Sequence, residues 1–264
     1  MVCHNLWLKG SIPRLENMKI VNIKDKLEEI QYPLESLALG DFDHIGEFTA
    51  KKARSKDSPL YKSVGCFFRP NYERGLLLYS LIRRFKISSM LEIGFGRGYG
   101  TMCAVKAMID EGIEGKVTTV DPFLSEDFLN QLSTVFPKEW FSYISFKKQS
   151  SDEAFEKMED DSSYELIYID GDHRVEQVQK DWDNSKNRFT KFVLFDDYHL
   201  PSKKEKDIEV ASVVDPIEGF EKELIIMDRR IFIDDRHLSD DEIDYGQILI
   251  TNPELDKSKY ILEW

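Results

Sequence analysis

MLEIGFGRGYG, residues 90–100, decides how the rest of the chain is read. Met90 and Leu91 open an apolar run, Glu92 interrupts it and Ile93 ends it. Glycines follow at 94, 96, 98 and 100, and a helix-like pattern comes after them. A buried strand that turns through glycines into a helix lets backbone N–H groups approach a ligand with no side chain in the way. The stretch therefore predicts a strand, a turn and a helix, with a nucleotide-like cofactor at the turn.

The same alternation continues outward. SSMLEIG (88–94) reads as a first strand, followed by a helix with Met102, Val105, Met108 and Ile109 on one face. KVTTVDP (116–122) is a second strand ending in Asp121, and residues 124–135 are helical. YISFKKQ (143–149) is a third strand, with a helix starting in SSDEAFEKM. YELIYIDGD (164–172) is a fourth, and Val175, Val178 and Trp182 mark its helix. KFVLFDDY (191–198) is a fifth. Ahead of them, Leu78, Leu81, Ile82 and Phe85 line a helix for which Pro70 suits the first position. Strands alternating with helices imply a parallel sheet covered on both faces, a three-layer αβα sandwich. The alternation breaks near the end, where ELIIMD (223–228), RIFIDD (230–235) and GQILIT (246–251) are short strands. A terminal hairpin then places one antiparallel strand in the sheet.

Residues 1–68 are different. Ile23, Leu27 and Ile30 have helical spacing, but DFDHIGEFTAKKARSKDSPLYKSVG (41–65) is polar and turn-rich. The expected organisation is an N-terminal helical arm or lid over 1–68 and an α/β domain over 69–264.

Bulk composition narrows the function. The 264 residues carry 36 basic against 49 acidic side chains, a net charge of −13. Such a surface repels phosphate backbones and anionic lipid, so neither nucleic acid nor a membrane is an expected partner. No run approaches a membrane span and no secretory leader is expected. Cys3, Cys66 and Cys103 are scattered without metal spacing, which points to a reducing, cytoplasmic setting. A small molecule is the expected partner, and self-association into a homo-oligomer is left open.

Open α/β sheets bind ligands at the C-terminal ends of their strands. Five such ends carry polar residues here: Glu92 with Gly94, then Asp121, Ser150 with Ser151, Asp170, and Asp196 with Asp197. Each alone is an ordinary turn or cap residue. Together they form one rim, where a carboxylate such as Asp121 accepts from ribose hydroxyls. The dinucleotide spacing fails in both registers. Counting from Gly94 the sixth residue is Tyr99, and counting from Gly96 it is Thr101. Glu92 is also an awkward neighbour for a pyrophosphate, whereas a cationic sulfonium and an ammonium group suit it. Asp170, Asp196 and Asp197 end adjacent strands about 4.8 Å apart. Three carboxylate oxygens plus water suit Mg²⁺ or a similar hard cation.

EIGFGRG resembles the E-x-G-x-G-x-G signature of class I S-adenosylmethionine-dependent methyltransferases. YIDGDH and FDDYH, which follow in the family's order, resemble two further segments of the branch containing the macrocin and, more distantly, the catechol O-methyltransferases. The resemblance spans roughly residues 69–251. It implies a Rossmann-like, seven-stranded sheet of order 3-2-1-4-5-7-6 with strand 7 antiparallel. It implies S-adenosyl-L-methionine as cofactor, with Glu92, Gly94, Gly96 and Gly98 around its methionine part, Asp121 on the ribose, and Ser150 and Ser151 near the adenine. The catechol enzymes hold their metal with Asp, Asp and Asn, and Asp197 here replaces the Asn. His173 lies three residues after Asp170, where those enzymes place a lysine base, and an imidazole has the pKa range for that work. Asp172 reads as the N-cap of the following helix. His199 is a weaker candidate for substrate contact.

The leading expectation is metal-assisted O-methylation of a small-molecule hydroxyl on a sugar, catechol-like or natural-product acceptor. A nicotinamide-dependent oxidoreductase and a non-catalytic, methyltransferase-like binding subunit are the alternatives. Phe67, Phe68, Arg69 and Tyr72 either wall a substrate pocket or pack the arm onto the domain, and residues 200–221 are a candidate second wall.

Overall fold

The computed structural model describes residues 18–30, 72–159, 161–199, 209–227 and 245–260. Its strands are β1 (Lys19–Asn22), β2 (Ser89–Ile93), β3 (Lys116–Val120), β4 (Ile144–Lys147), β5 (Tyr164–Ile169), β6 (Phe189–His199), β7 (Glu221–Ile226) and β8 (Tyr245–Thr251). Its α-helices are α1 (Ile23–Glu29), α2 (Tyr72–Phe85), α3 (Tyr99–Asp110), α4 (Glu126–Val135), α5 (Ser151–Glu156), α6 (Val175–Ser185) and α7 (Val210–Val214). None of the described helices is long and apolar enough to cross a membrane.

The strands form one sheet of order β1-β7-β8-β6-β5-β2-β3-β4, parallel except for β8, which runs antiparallel to both β6 and β7. The two-residue period of a strand sends alternate side chains to opposite faces. Met90, Phe192, Leu194, Ile225 and Leu249 pack under α1, α2, α3 and α4. Leu91, Val193, Phe195, Leu224 and Ile250 pack under α5, α6 and α7. Burial on both faces is why these strands read as nearly unbroken apolar runs.

The sheet contains the expected seven-strand order and adds an eighth strand at its edge. Residues 19–22, read from the sequence as part of an arm, pair in parallel with β7 from Lys19↔Glu223 to Asn22↔Ile226. Glu223 has a fully buried side chain, and Lys26 of α1 and Lys19 (2.5 Å) ion-pair with it. A buried carboxylate needs such partners, so its charge holds the segment in place. Asn22 caps α1 by accepting the Lys24 N–H at 2.9 Å, and Ile23, Leu27 and Ile30 bury the face that the spacing predicted. Residues 31–71, the 230–235 strand and residues 200–208 lie outside the described residues, and with them Phe67, Phe68 and Arg69. Tyr72 opens α2.

Candidate functional site

The β2–α3 turn is built as its sequence predicts. Gly94, Gly96 and Gly98 all have positive φ, at 92°, 52° and 82°, a region that only glycine enters freely. Gly94 has a second constraint. A β-carbon there would overlap the Asp170 carbonyl oxygen, so only glycine lets the ends of β2 and β5 meet. A β-carbon on Gly96 would meet nothing within 4 Å, so the loop tip is open to a ligand. Gly98 is the N-cap of α3, and its side-chain-free backbone starts the helix.

Two acids hold this turn from different sides. Glu92 shares the sheet face of Met90 and lies fully buried beneath the loop. Its Oε2 accepts from Thr101 of α3 and from Thr119 of β3, the latter at 2.8 Å. Burial pushes its carboxyl up to about 7 against the pull of those hydroxyls. Asp121 lies at the rim. Its Oδ2 accepts the N–H groups of Phe95 and Gly96, both at 3.1 Å, and Oδ1 accepts that of Phe123 at 2.7 Å. A carboxylate offers about four acceptor sites, so capacity remains for a ligand hydroxyl.

Ser150 and Ser151 follow β4 at the start of α5 and have local roles. Ser150 caps α5 in a reciprocal box with Glu153, and Ser151 Oγ accepts from Gln177 of α6 at 3.0 Å. Asp172 does not cap α6. The N-cap is Arg174, whose N–H and guanidinium both bind the Asp172 carboxylate.

The acidic cluster departs from expectation at one residue. Tyr168, Asp170, Asp196 and Gln247 lie at even steps from core residues that face α2, and so point to that side. Asp196 is buried with both oxygens engaged. Oδ2 accepts from the Tyr168 hydroxyl and from Arg74, each at 2.6 Å, and Oδ1 accepts the Asp197 N–H at 2.8 Å. Gln247 donates to the Tyr168 oxygen at 3.3 Å, and that hydroxyl also lies 3.2 Å from Asp170. Asp196 is therefore an interior carboxylate, engaged by Tyr168, Arg74 and the Asp197 N–H.

Regular alternation would turn Asp197 to the far face. A break in the β6–β8 register between Phe195 and Tyr198, with Asp197 at φ 51°, swings it back to the rim. There Oδ1 accepts from Arg74 at 2.6 Å and Oδ2 stands 3.1 Å from His173 Nε2. Asp170, His173 and Asp197 offer ligand atoms that all lie within 4.8 Å of one another.

Burial and the neighbouring Asp196 push the Asp170 carboxyl well above the usual range, and burial raises that of Asp196 against the pull of Arg74. Burial opposes the Arg74 charge, yet Asp196, Asp197 and Asp170 outweigh it and raise its pKa further. Sequence reading missed Arg74, although a signal existed. It stands four and seven residues before Leu78 and Leu81, on the apolar stripe of its helix. A cation at such a position requires an internal counter-charge.

Residues 91–198 match a sequence family described as a methyltransferase domain. A comparison with curated protein sequences yields no match. Among solved structures, the chain resembles the O-methyltransferase TomG from Streptomyces achromogenes in complex with SAM. The TM-score is 0.52 at 12% identity, over 75% of this chain and 91% of that one. A putative O-methyltransferase from Klebsiella pneumoniae gives 0.52 at 12% identity, over 87% and 96%. The O-methyltransferase from Bacillus cereus in complex with SAH gives 0.50 at 11% identity, over 87% and 97%. Residues 91–198 thus resemble a methyltransferase domain in sequence, and the chain has the fold of these O-methyltransferases.

Proposed function

We propose that this protein methylates the hydroxyl of a small molecule, with S-adenosylmethionine as donor. One observation carries the reading: the open glycine turn abuts Asp170, so a cofactor site and the His173–Asp197 pair share one rim. The O-methyltransferases among the structural neighbours support the choice of oxygen.

S-adenosylmethionine, when bound, supplies an electrophilic methyl group on a cationic sulfur. The residues present fit it. The loop N–H groups and Asp121 suit a ribose, and the acidic rim suits the cationic centre. His173 Nε2 stands 3.1 Å from Asp197 Oδ2, and with its proton on that nitrogen the imidazole offers Nδ1 as the base, the division of labour of a carboxylate–histidine pair. His173 takes the proton of the acceptor hydroxyl as that oxygen attacks the methyl carbon. The rigid strand ends supply the alignment such a displacement requires.

The donor set does not fit the expected Mg²⁺. Asp196 is buried and paired with Arg74, and the same guanidinium binds Asp197. A cation placed between Asp170, His173 and Asp197 would consume the base and meet Arg74 as a like charge a few ångströms away.

The test is a thermal-shift and calorimetric titration of the full chain with S-adenosylhomocysteine, followed by a library of hydroxylated acceptors. Ligand binding to the native state raises its melting temperature with concentration. An unchanged melting temperature at saturating product, with no heat of binding, sinks the proposal.

A further inference from the structure

We propose that Arg74 is the resident cation of this rim: its guanidinium holds the place the acidic cluster suggests for a divalent ion, and excludes that ion. The claim that Arg74 thereby positions the base rests on the methyl-transfer reading, whereas the claim about charge does not.

Three observations on different elements converge. Arg74 reaches the rim from α2, pinned against α3 because Tyr99 and Cys103 fill the space where a side chain on Gly75 would stand. Its fork is divided between two carboxylates, NH1 on Asp196 and NH2 on Asp197. A planar guanidinium meets two acceptors at fixed angles, which a flexible ammonium does not. The strand is deformed to receive it, because the bulge and the left-handed backbone of Asp197 bring consecutive residues of β6 to the same side. Left-handed backbone at a non-glycine residue is costly and persists only when its surroundings hold it. Here Arg74 and His173 both hold Asp197.

The consequence is a division of roles. Asp196, Tyr168 and Gln247 form the buried anchor of Arg74. Arg74 fixes one oxygen of Asp197, so the other is held toward His173. Arg74 is thus a positioning residue, and the cluster carries its compensating positive charge on the polypeptide.

The experiment is Mn²⁺ titration of the chelator-stripped full chain, followed by the loss of the free-ion electron paramagnetic resonance signal. Wild type and Arg74→Lys, which keeps the charge, are expected to leave the Mn²⁺ free. Arg74→Met exposes Asp197 and Asp170 and is expected to take up Mn²⁺ at least roughly tenfold more tightly than wild type, the effect of removing a like charge from the rim. If Arg74→Met does not fold, Arg74→Gln, which retains hydrogen bonding, carries the same arm. Tight uptake of Mn²⁺ by wild type, abolished by Asp197→Asn, overturns the proposal. So does Arg74→Met that folds and binds no Mn²⁺. An S-adenosylhomocysteine thermal shift on the same samples reports the cofactor site. Its absence in wild type counts against methyl transfer and leaves the Mn²⁺ result standing.

Discussion

Asp121 Oδ2 accepts the Gly96 N–H at 3.1 Å and so ties the tip of the glycine turn to the end of β3. The same carboxylate also takes the Phe95 N–H, so the residue proposed to hold the ribose also shapes the loop proposed to receive the cofactor. Replacing Asp121 with Ala removes both actions. Hydrogen bonds to charged groups contribute about 1.5–3 kcal/mol each, so affinity for S-adenosylhomocysteine should fall roughly ten- to hundredfold or more. Isothermal titration of wild type, Asp121→Asn and Asp121→Ala checks this, with Asn expected in between.

Glu92 makes stability depend on pH. Burial raises its folded pKa to about 7 from an ordinary value of 4.5. A group whose folded pKa is raised binds more protons in the native state, so its contribution is fully present below pH 4.5 and is lost as pH rises through 7. Glu92→Gln removes this dependence and keeps an acceptor for Thr101 and Thr119. The melting temperature of Glu92→Gln minus that of wild type should therefore become more positive from pH 5 to pH 8. A difference that stays flat, measured by calorimetry in matched buffers, contradicts this account of Glu92.

His173 should matter for rate and little for cofactor binding. A positioned general base contributes about 10²–10⁴-fold. His173→Asn should lower single-turnover methyl transfer to a responsive acceptor by that order and leave S-adenosylhomocysteine affinity within a factor of about 2. Rapid-quench kinetics separates the two.

Lys26 and Glu223 fasten the extra strand. Lys26→Met leaves a carboxylate buried with Lys19 as its remaining partner. Breaking a buried pair typically costs about 3–5 kcal/mol, and the surviving Lys19 contact should hold the loss at or below the low end. The double change Lys26→Met with Glu223→Leu should recover much of it, since no charge is then left unpaired. Denaturant unfolding measures the stability, and hydrogen exchange across residues 18–30 shows whether β1 and α1 loosen first.

Legibility followed the physics of each element. β2, β5, β6 and β8 are buried on both faces, so their apolar runs stand out in one dimension. The four residues of β1, KIVN, do not. The strand lies at the sheet edge, follows a stretch without pattern, and pairs with β7 some 200 residues away. Asp172 was misread as a cap because acids before helices usually are caps, whereas Arg174 draws this carboxylate into a local ion pair. The rim acids were visible as strand ends. Their orientations were not, because a bulge overrides the two-residue rule between Phe195 and Tyr198.

The glycine turn, the alternation of strands and helices from β2 onward and the identity of the rim residues follow from sequence alone, since they rest on local periodicity and on glycine's freedom at positive φ, whereas the spatial order of the strands came from the family resemblance. Only the tertiary structure decided that Asp196 points inward, that Asp197 turns back to meet His173, and that Arg74 from a distant helix lies between them. Those outcomes depend on which charges a folded interior must neutralise, and the partners for that are chosen in space and not along the chain.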